Sequence, residues 1–268
     1  MYKPYKVTPD GISAVAPLFL GWDETPIWSC LQGTMGEIYA VKGDNGALLA
    51  QAVLADFCFF AGDVLLAGRA AAAALVGNDL RYTRSSMLLV PQNADWSDVI
   101  EGVCAGRFRR EARYAFDKDT QFDPVRLRGF LDAVPPGFEI VPVSRELYWR
   151  SLSSGWSRDL CSQYASWEDY SRYALGFMAL HGGEPVAGAS TYSHYDGGIE
   201  IEIDTRRDFR RRGLAAACAS ALILECLARG LYPSWDAANA VSVALAQKLG
   251  YRFSHEYPVY IVDASGRN

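Results

Sequence analysis

This 268-residue chain is poor in metal-ligating side chains: three histidines, four methionines and six cysteines. The cysteines, Cys30, Cys58, Cys104, Cys161, Cys218 and Cys226, form no Cys-x-x-Cys pair, and His181, His194 and His255 are dispersed. Metal-site spacing is absent, so no metal is expected and the thiols are expected to be reduced and mostly buried. No apolar run approaches the roughly 20 residues of a membrane helix. Met1, Tyr2, Lys3, Pro4, Tyr5 and Lys6 are not followed by the apolar core of a secretory signal. The expectation is a cytoplasmic chain with no membrane partner. Positive charge is also in deficit: 26 Lys and Arg against 31 Asp and Glu give a net charge of -5, which argues against nucleic acid as a partner.

What is abundant is apolar surface, at 50% of the residues, enough for two domains of ordinary size. The first half alternates strand-like runs (37–41, 47–60, 86–90, 107–116) with helical ones (69–76, 96–105), an α/β pattern without a visible motif. Pro124, Pro135 and Pro136 enclose one helix over 125–133. That polar, proline-rich stretch places the boundary between an N-terminal α/β domain over 1–122 and a second domain over 123–268.

The second half reads in order. A strand at 138–142 precedes a helix capped by Ser144 and a second helical region over 156–164. Strands at 176–181 and 185–192 flank a His181-Gly182-Gly183-Glu184 turn. Ile199 to Thr205 then alternates apolar with acidic residues, and a helix over 211–229 stops at Gly230. A strand at 232–236, a helix at 241–249 and an aromatic strand at 251–262 close the chain.

Between the alternating strand and the long helix lie Arg206, Arg207, Arg210, Arg211 and Arg212, followed by Gly213, Leu214 and Ala215. Unpaired N–H groups and the positive end of the helix dipole converge at such a start, so a phosphate or pyrophosphate is the natural ligand. Gly213 lets the backbone approach the anion closely.

This second half resembles the GNAT (GCN5-related N-acetyltransferase) superfamily. Arg210-Arg211-Arg212-Gly213-Leu214-Ala215 matches its Arg/Gln-x-x-Gly-x-Gly/Ala signature. Asn239, Ser242, Leu245, Leu249, Gly250 and Tyr251 match its second pattern, an asparagine after the fifth strand and a helix ending Leu-Gly-aromatic. Pro233 to Ala237 and the tyrosines of the tail look most like the branch that includes the zwittermicin-resistance protein. The resemblance implies an α+β fold with a mixed, mostly antiparallel twisted sheet flanked by helices over about 138–268. From its α/β character alone, the N-terminal domain is expected to form a second, degenerate half of the same kind that closes the acceptor site.

The resemblance further implies acetyl-CoA as co-substrate and a small-molecule amine as acceptor. The pyrophosphate would lie on Arg210, Arg211, Arg212, Gly213, Leu214 and Ala215, and the pantetheine along the backbone of Ile203, Asp204 and Thr205. Asn239 and Ser242 would share the cofactor. A thioester is already activated, so the enzyme has mainly to orient the amine and remove its proton. Glu200 and Glu202, on one face of the alternating strand, are equal candidates for that base; either alternatively binds a cationic acceptor or is a solvated residue of a half-exposed strand. The family's usual leaving-group tyrosine falls at Ala246, with Tyr251, Tyr257 or water as substitutes. That departure supports a second reading, a non-catalytic acyl-CoA sensor or scaffold. Trp149, Trp156, Trp167, Tyr148, Tyr164 and Tyr170 form either a lid over the acceptor or the packing between the two domains. Monomer and homodimer stay equally open.

Overall fold

The computed structural model describes residues 2–79 and 86–263. In chain order it begins with β1 (Tyr5–Lys6), α1 (Ile12–Val15), α2 (Thr25–Gln32), β2 (Glu37–Lys42), β3 (Leu48–Leu54) and β4 (Phe57–Ala61). Next come α3 (Val64–Ala67), α4 (Arg69–Asp79), β5 (Ser86–Pro91), α5 (Ala94–Cys104) and β6 (Phe108–Phe116). A helix α6 (Pro124–Asp132) leads to β7 (Phe138–Pro142), α7 (Arg145–Leu152), α8 (Trp167–Tyr173), β8 (Gly176–His181), β9 (Glu184–Tyr195) and β10 (Gly198–Thr205). The last elements are α9 (Leu214–Ala228), β11 (Tyr232–Ser234), β12 (Asp236–Ala237), α10 (Ala240–Leu249) and β13 (Phe253–Asp263). The mixed α/β class expected from the sequence is what forms.

These elements divide into two units, Met1–Arg113 with Glu256–Asn268, and Tyr114–His255. In the first, β1 to β4 run antiparallel to their neighbours, β4 and β5 are parallel, and the end of β13 returns to pair antiparallel with β5. Its core gathers Trp96, Phe60, Leu75, Leu89 and Tyr260. In the second, β7 to β10 form an antiparallel meander and β11 joins β10 in parallel. Both units follow a similar order, strand, two helices, three antiparallel strands, helical segment, parallel strand, helix, strand, with the helical segment split into α3 and α4 in the first unit and the short β12 added after β11 in the second.

The second unit is organised by α9, whose sequence Leu-Ala-Ala-Ala-Cys-Ala-Ser-Ala-Leu-Ile-Leu-Glu-Cys-Leu-Ala is small and apolar on nearly every face. Such a helix is stable only when surrounded. It buries Leu214, Cys218, Leu222 and Cys226 with Ala187 and Ala189 of β9 and Ile199 and Ile201 of β10. Burial pushes the Cys218 and Cys226 thiols up to about 12, so they remain protonated packing groups.

Three local expectations shift. Residues 47–60 are two strands, because Ala55 adopts a left-handed φ of 51° and turns the chain. The helix expected from 211 begins only at Leu214, since Arg211 and Gly213 are left-handed at φ 63° and 82°. The helical region expected at 156–164 is a single 3-10 turn at Arg158–Leu160. The second helix is instead α8, capped by Ser166, whose hydroxyl accepts from the Asp169 N–H at 3.0 Å.

Leu222→Ala, which empties a fully buried site beneath the sheet, is expected to lower the unfolding free energy by about 2–5 kcal/mol. Val241→Ala, at a position 81% exposed, is expected to change it by under about 0.5 kcal/mol. Denaturant titration of the two variants checks both.

Candidate active site

Strands β10 and β11 pair at only three positions, Gly198 with Tyr232, Ile199 with Pro233 and Glu200 with Ser234. Beyond them the chain diverges. Asp236 and Ala237 of β12 pair instead with Ala115 and Tyr114 at the end of β6. Among the described residues the rest of β10 therefore keeps an edge with no strand beside it. The N–H of Ile203 donates to Glu202 Oε1 at 3.2 Å and that of Thr205 to Asp204 Oδ1 at 2.6 Å. These backbone donors are held by flexible side chains that a ligand can replace.

Glu200, Glu202 and Asp204 share the face of β10 opposite Ile199, Ile201 and Ile203, which pack toward α9. Their depth differs. Glu200 stands at the vertex of the divergence and is 5% exposed; Glu202 and Asp204 stand on the open stretch and are half-buried. Burial raises the Asp204 carboxyl above the ordinary aspartate value, the Thr205 N–H and Arg210 offsetting this in part and Asp159 adding to it.

After β10 the chain makes a 3-10 turn, Arg207–Phe209, and enters α9 through Gly213, which supplies no side-chain cap. The first N–H to close onto this end is that of Ala217, on Gly213 O at 3.1 Å. The N–H groups of Leu214, Ala215 and Ala216 precede it and face the loop as anion donors. A Cβ built on Gly213 meets nothing within 4 Å, so the space in front of this helix end is open.

The five arginines divide into two sets. Arg206 forms a two-pronged pair with Asp208 at 2.8 and 2.9 Å and lies 4.4 Å over the Phe209 ring. Arg212 lies 5.0 Å from the centre of the same ring and donates to Asp208 O. Arg210 donates to Thr205 O at 3.0 Å and lies 3.6 Å from Asp204. These three build the loop. Arg207 and Arg211 are exposed and make no ion pair among the described residues, which leaves them as the cations directed to solvent.

The remaining predicted residues lie beyond the divergence. Asn239 caps α10, its Oδ1 accepting from the N–H groups of Val241 and Ser242 at 3.1 Å each. Ser242 Oγ accepts from Trp235 Nε1 at 3.1 Å. Both side chains are engaged in bonds local to the start of α10. Ala246 is buried in the core, and the Tyr251 hydroxyl, held well above the ordinary phenol value by burial, donates to Pro233 O at 2.6 Å.

The aromatic stretch packs inward. Tyr148 donates to Tyr164 O at 2.8 Å, Tyr170 bonds Ser190 Oγ at 2.7 Å, and Trp167 stacks on Tyr170. The Arg158–Leu160 turn lies against β9 closely enough that a Cβ on Gly188 would meet Leu160 Cδ1 at 2.7 Å. Of this group Trp149, half exposed, faces solvent. Sequence reading singled out neither the 3-10 turn nor Asp159, because the run of Ser and Gly around them carries no periodic signal. Among the described residues no group of acidic, histidine or cysteine side chains is arranged to hold a metal, and no helix is long and apolar enough to cross a membrane.

Comparison with known proteins agrees with this fold. A family model described as GNAT acetyltransferase matches residues 16–260. YdfB of Bacillus subtilis (strain 168), an uncharacterized N-acetyltransferase, is 27% identical over 243 residues, 89% of this chain and 82% of that one. The crystal structure of a GCN5-related N-acetyltransferase-like protein from Streptococcus suis 89/1591 is 44% identical, with a TM-score of 0.84 over 93% of this chain and 97% of its own. A tandem GNAT protein from the clavulanic acid biosynthesis pathway covers 100% of both chains at 12% identity and a TM-score of 0.56, a likeness of fold alone.

Burial lowers the His194 imidazole below its ordinary value, outweighing the opposing charge of Asp196. Its contribution to stability is thus complete above about pH 6.5, the unfolded value, and is lost as pH falls through the lower folded value. Melting temperature followed from about pH 7.5 to 5 is expected to fall more steeply for the parent than for His194→Gln; parallel curves would remove this assignment.

Proposed function

The chain belongs to the GNAT acetyltransferase family, and from that membership and the gap beside β10 we propose that it moves an acetyl group from acetyl-CoA to a primary amine of a small molecule. The observation that carries the proposal is the coincidence, within residues 198–216, of an open strand edge, a buried carboxylate at its vertex and an uncapped helix N-terminus. The residues fit the donor. Main-chain N–H groups of Leu214, Ala215 and Ala216, with Arg207 and Arg211, suit a pyrophosphate and its neighbouring phosphate. The N–H groups of Ile203 and Thr205 suit an extended amide arm that displaces the Glu202 and Asp204 side chains.

In this reading Glu200 is the base. The amine lone pair attacks the thioester carbonyl, the N–C bond forms, and the proton lost from nitrogen passes to the Glu200 carboxylate. The C–S bond then breaks and the sulfur departs as thiolate, a leaving group of pKa about 8.5 that needs little protonation. Glu202, one step outward and half-buried, draws the ammonium form of the acceptor toward the vertex; base and amine-binding roles exchange between the two if Glu202 proves the more sensitive. The acidic face formed with Asp204 favours a cationic acceptor over an anionic one. An aminated antibiotic is one such acceptor, consistent with the resemblance to the zwittermicin-resistance branch.

The same proposal assigns the first unit as a closed copy of the second. Its parallel strands β4 and β5 pair at four successive positions, Phe57 with Leu88 through Phe60 with Pro91. Asp63 caps α3 with its own carboxylate, accepting from the Leu66 N–H at 2.9 Å. Gln92 and Trp96 occupy the N–H and C=O of Gly62 at 3.0 and 2.9 Å. In this reading side chains hold, at the equivalent end of the first unit, the N–H groups of Gly62 and Leu66.

Titration calorimetry with acetyl-CoA is expected to give one site per chain, and two sites would overturn the closed-copy assignment. Gly213→Val forces a branched side chain onto a left-handed residue before the anion site and is expected to weaken acetyl-CoA binding tenfold or more, about 1.4 kcal/mol. Glu200→Gln is expected to lower turnover by about 10²–10⁴-fold while leaving that affinity nearly unchanged. Thiol release with 1,3-diaminopropane, glucosamine and lysine reads the reaction. Binding without amine-dependent release would return the chain to the sensor reading.

A further inference from the structure

The open edge of β10 is fastened at one residue from both sides. Asp204 Oδ1 accepts from the Thr205 N–H at 2.6 Å, and Arg210 Nε donates to Thr205 O at 3.0 Å. The two fasteners also meet each other, with a terminal nitrogen of Arg210 3.6 Å from Asp204 Oδ1. Along a strand the N–H and C=O of one residue point to the same side. The next N–H, that of Arg206, goes the opposite way, to Val186 O at 2.9 Å, so Thr205 is the residue that faces the gap. The bond at Ile203 is looser, 3.2 Å to its neighbour Glu202.

Asp204 is half-buried and stands between opposing neighbours. Arg210, from the loop before α9, and the Thr205 N–H favour its charged form, whereas burial and Asp159, from the 3-10 turn Arg158–Leu160, oppose it. Glu202 lies two residues back on the same face, and the residue opposite on β9 is Gly188, which brings no charge. A carboxylate that lost Thr205 and Arg210 would be left with two acidic neighbours and would bind a proton more tightly. An aspartate here also opposes the approach of a polyanion to the arginine loop. Its position makes sense if the carboxylate is meant to be displaced.

We propose that Asp204 and Arg210 form an autoinhibitory clasp on the donor site, closed over Thr205 in this structure and opened by acetyl-CoA with the uptake of a proton. The inference rests on the reading of this edge as the seat of the pantetheine arm. No covalent bond changes. Opening passes the Thr205 N–H from Asp204 to an amide carbonyl of the arm. Arg210 keeps its Nε on Thr205 O while its terminal nitrogen leaves Asp204 and turns to a phosphate. The released carboxylate, facing Asp159 and Glu202, holds a proton more readily than the clasped one, so donor affinity rises as pH falls.

Calorimetric titration of the full chain, Asp204→Ala and Asp204→Asn with acetyl-CoA and with S-acetylpantetheine tests the clasp. Truncating a side chain at a binding edge ordinarily costs affinity. Here Asp204→Ala is expected to bind acetyl-CoA about three- to tenfold more tightly than the parent near pH 7.5, the scale of one intramolecular hydrogen bond. That gain is expected to shrink as pH is lowered from about 7.5 to 5, because protonation opens the parent's clasp; the donor's phosphates titrate alike in both proteins. S-Acetylpantetheine carries no phosphate, so its tighter binding to Asp204→Ala separates loss of the clasp from loss of charge repulsion. Asp204→Asn, close in shape and still able to accept from Thr205, is expected to gain less and to lose the same pH dependence, and it keeps the test available if the alanine variant does not fold. Tightening confined to the phosphorylated probe, or variants that bind acetyl-CoA no more tightly than a parent that does bind it, would overturn the clasp and leave the donor reading intact. A parent that binds no acetyl-CoA would remove the donor reading and the clasp together.

Discussion

The architecture of the second unit depends on one change of hydrogen-bond partner. After Glu200 and Ser234, β11 ceases to bond β10, and the chain turns within two residues to bond β6 through Asp236 and Ala237. Main-chain N–H groups in a protein interior require partners, so an abandoned strand edge is costly unless something occupies it. Here the Glu202 and Asp204 side chains fold back onto the Ile203 and Thr205 N–H groups. Burial raises the Asp204 carboxyl in that arrangement despite a nearby arginine. Side chains in such a position satisfy the edge without committing it, whereas a paired strand would close it for good. In the first unit β4 and β5 pair at four successive positions, and Asp63, Gln92 and Trp96 bond the main-chain groups of Leu66 and Gly62 just beyond β4.

Five arginines within seven residues would repel one another unless the loop separated their duties. Asp208 neutralises Arg206, the Phe209 ring receives both Arg206 and Arg212, and Arg210 turns back to Thr205 O and Asp204. Three guanidinium groups thereby fix the conformation that points the N–H groups of α9 outward. Two remain to meet solvent. The net charge of -5 does not weaken them, because at physiological salt charges beyond about 8 Å are largely screened. Local geometry, and not the overall charge balance, decides the field at this helix end.

Much of this was legible in the sequence, and the reasons are specific. The Ile-Glu-Ile-Glu-Ile-Asp alternation identified both the strand and the face that carries its carboxylates, because a sheet with one packed side permits only a period of two. Gly230 and Gly250 marked helix ends and both adopt positive φ, and Ser144 caps α7 as read, through the Leu147 N–H. The true start of α9 was hidden because arginines are compatible with a helix; the left-handed Arg211 follows from the loop's internal pairs. The shortened turn at 158–160 was hidden because aromatic residues look like helix packing until Ser153, Ser154, Gly155 and Ser166 break the pattern. The pairing of Glu200 with Ser193 and Ser234 joins residues seven and thirty-four positions away from the glutamate, and no local pattern records a register between strands. Nor does any signal in the chain announce that β13 returns to the first unit.

The absence of a tyrosine at position 246 reads differently once the packing is known. Ala246 lies in the core with Leu222 and Tyr251, so a large hydroxylated side chain there would have to displace α9 or its neighbours. Tyr251, the nearest substitute in sequence, has its hydroxyl committed to Pro233 O and is raised well above the ordinary phenol value, which fits it for bracing β11 rather than for giving up a proton. In the proposed reaction this loss is tolerable because the two proton transfers are unequal. Removing a proton from an amine before or during attack determines whether a nucleophile exists at all, whereas a thiolate of pKa about 8.5 departs close to neutrality without help. Selection on such a site would therefore conserve the carboxylate at the vertex and leave the leaving-group position free to be used for packing.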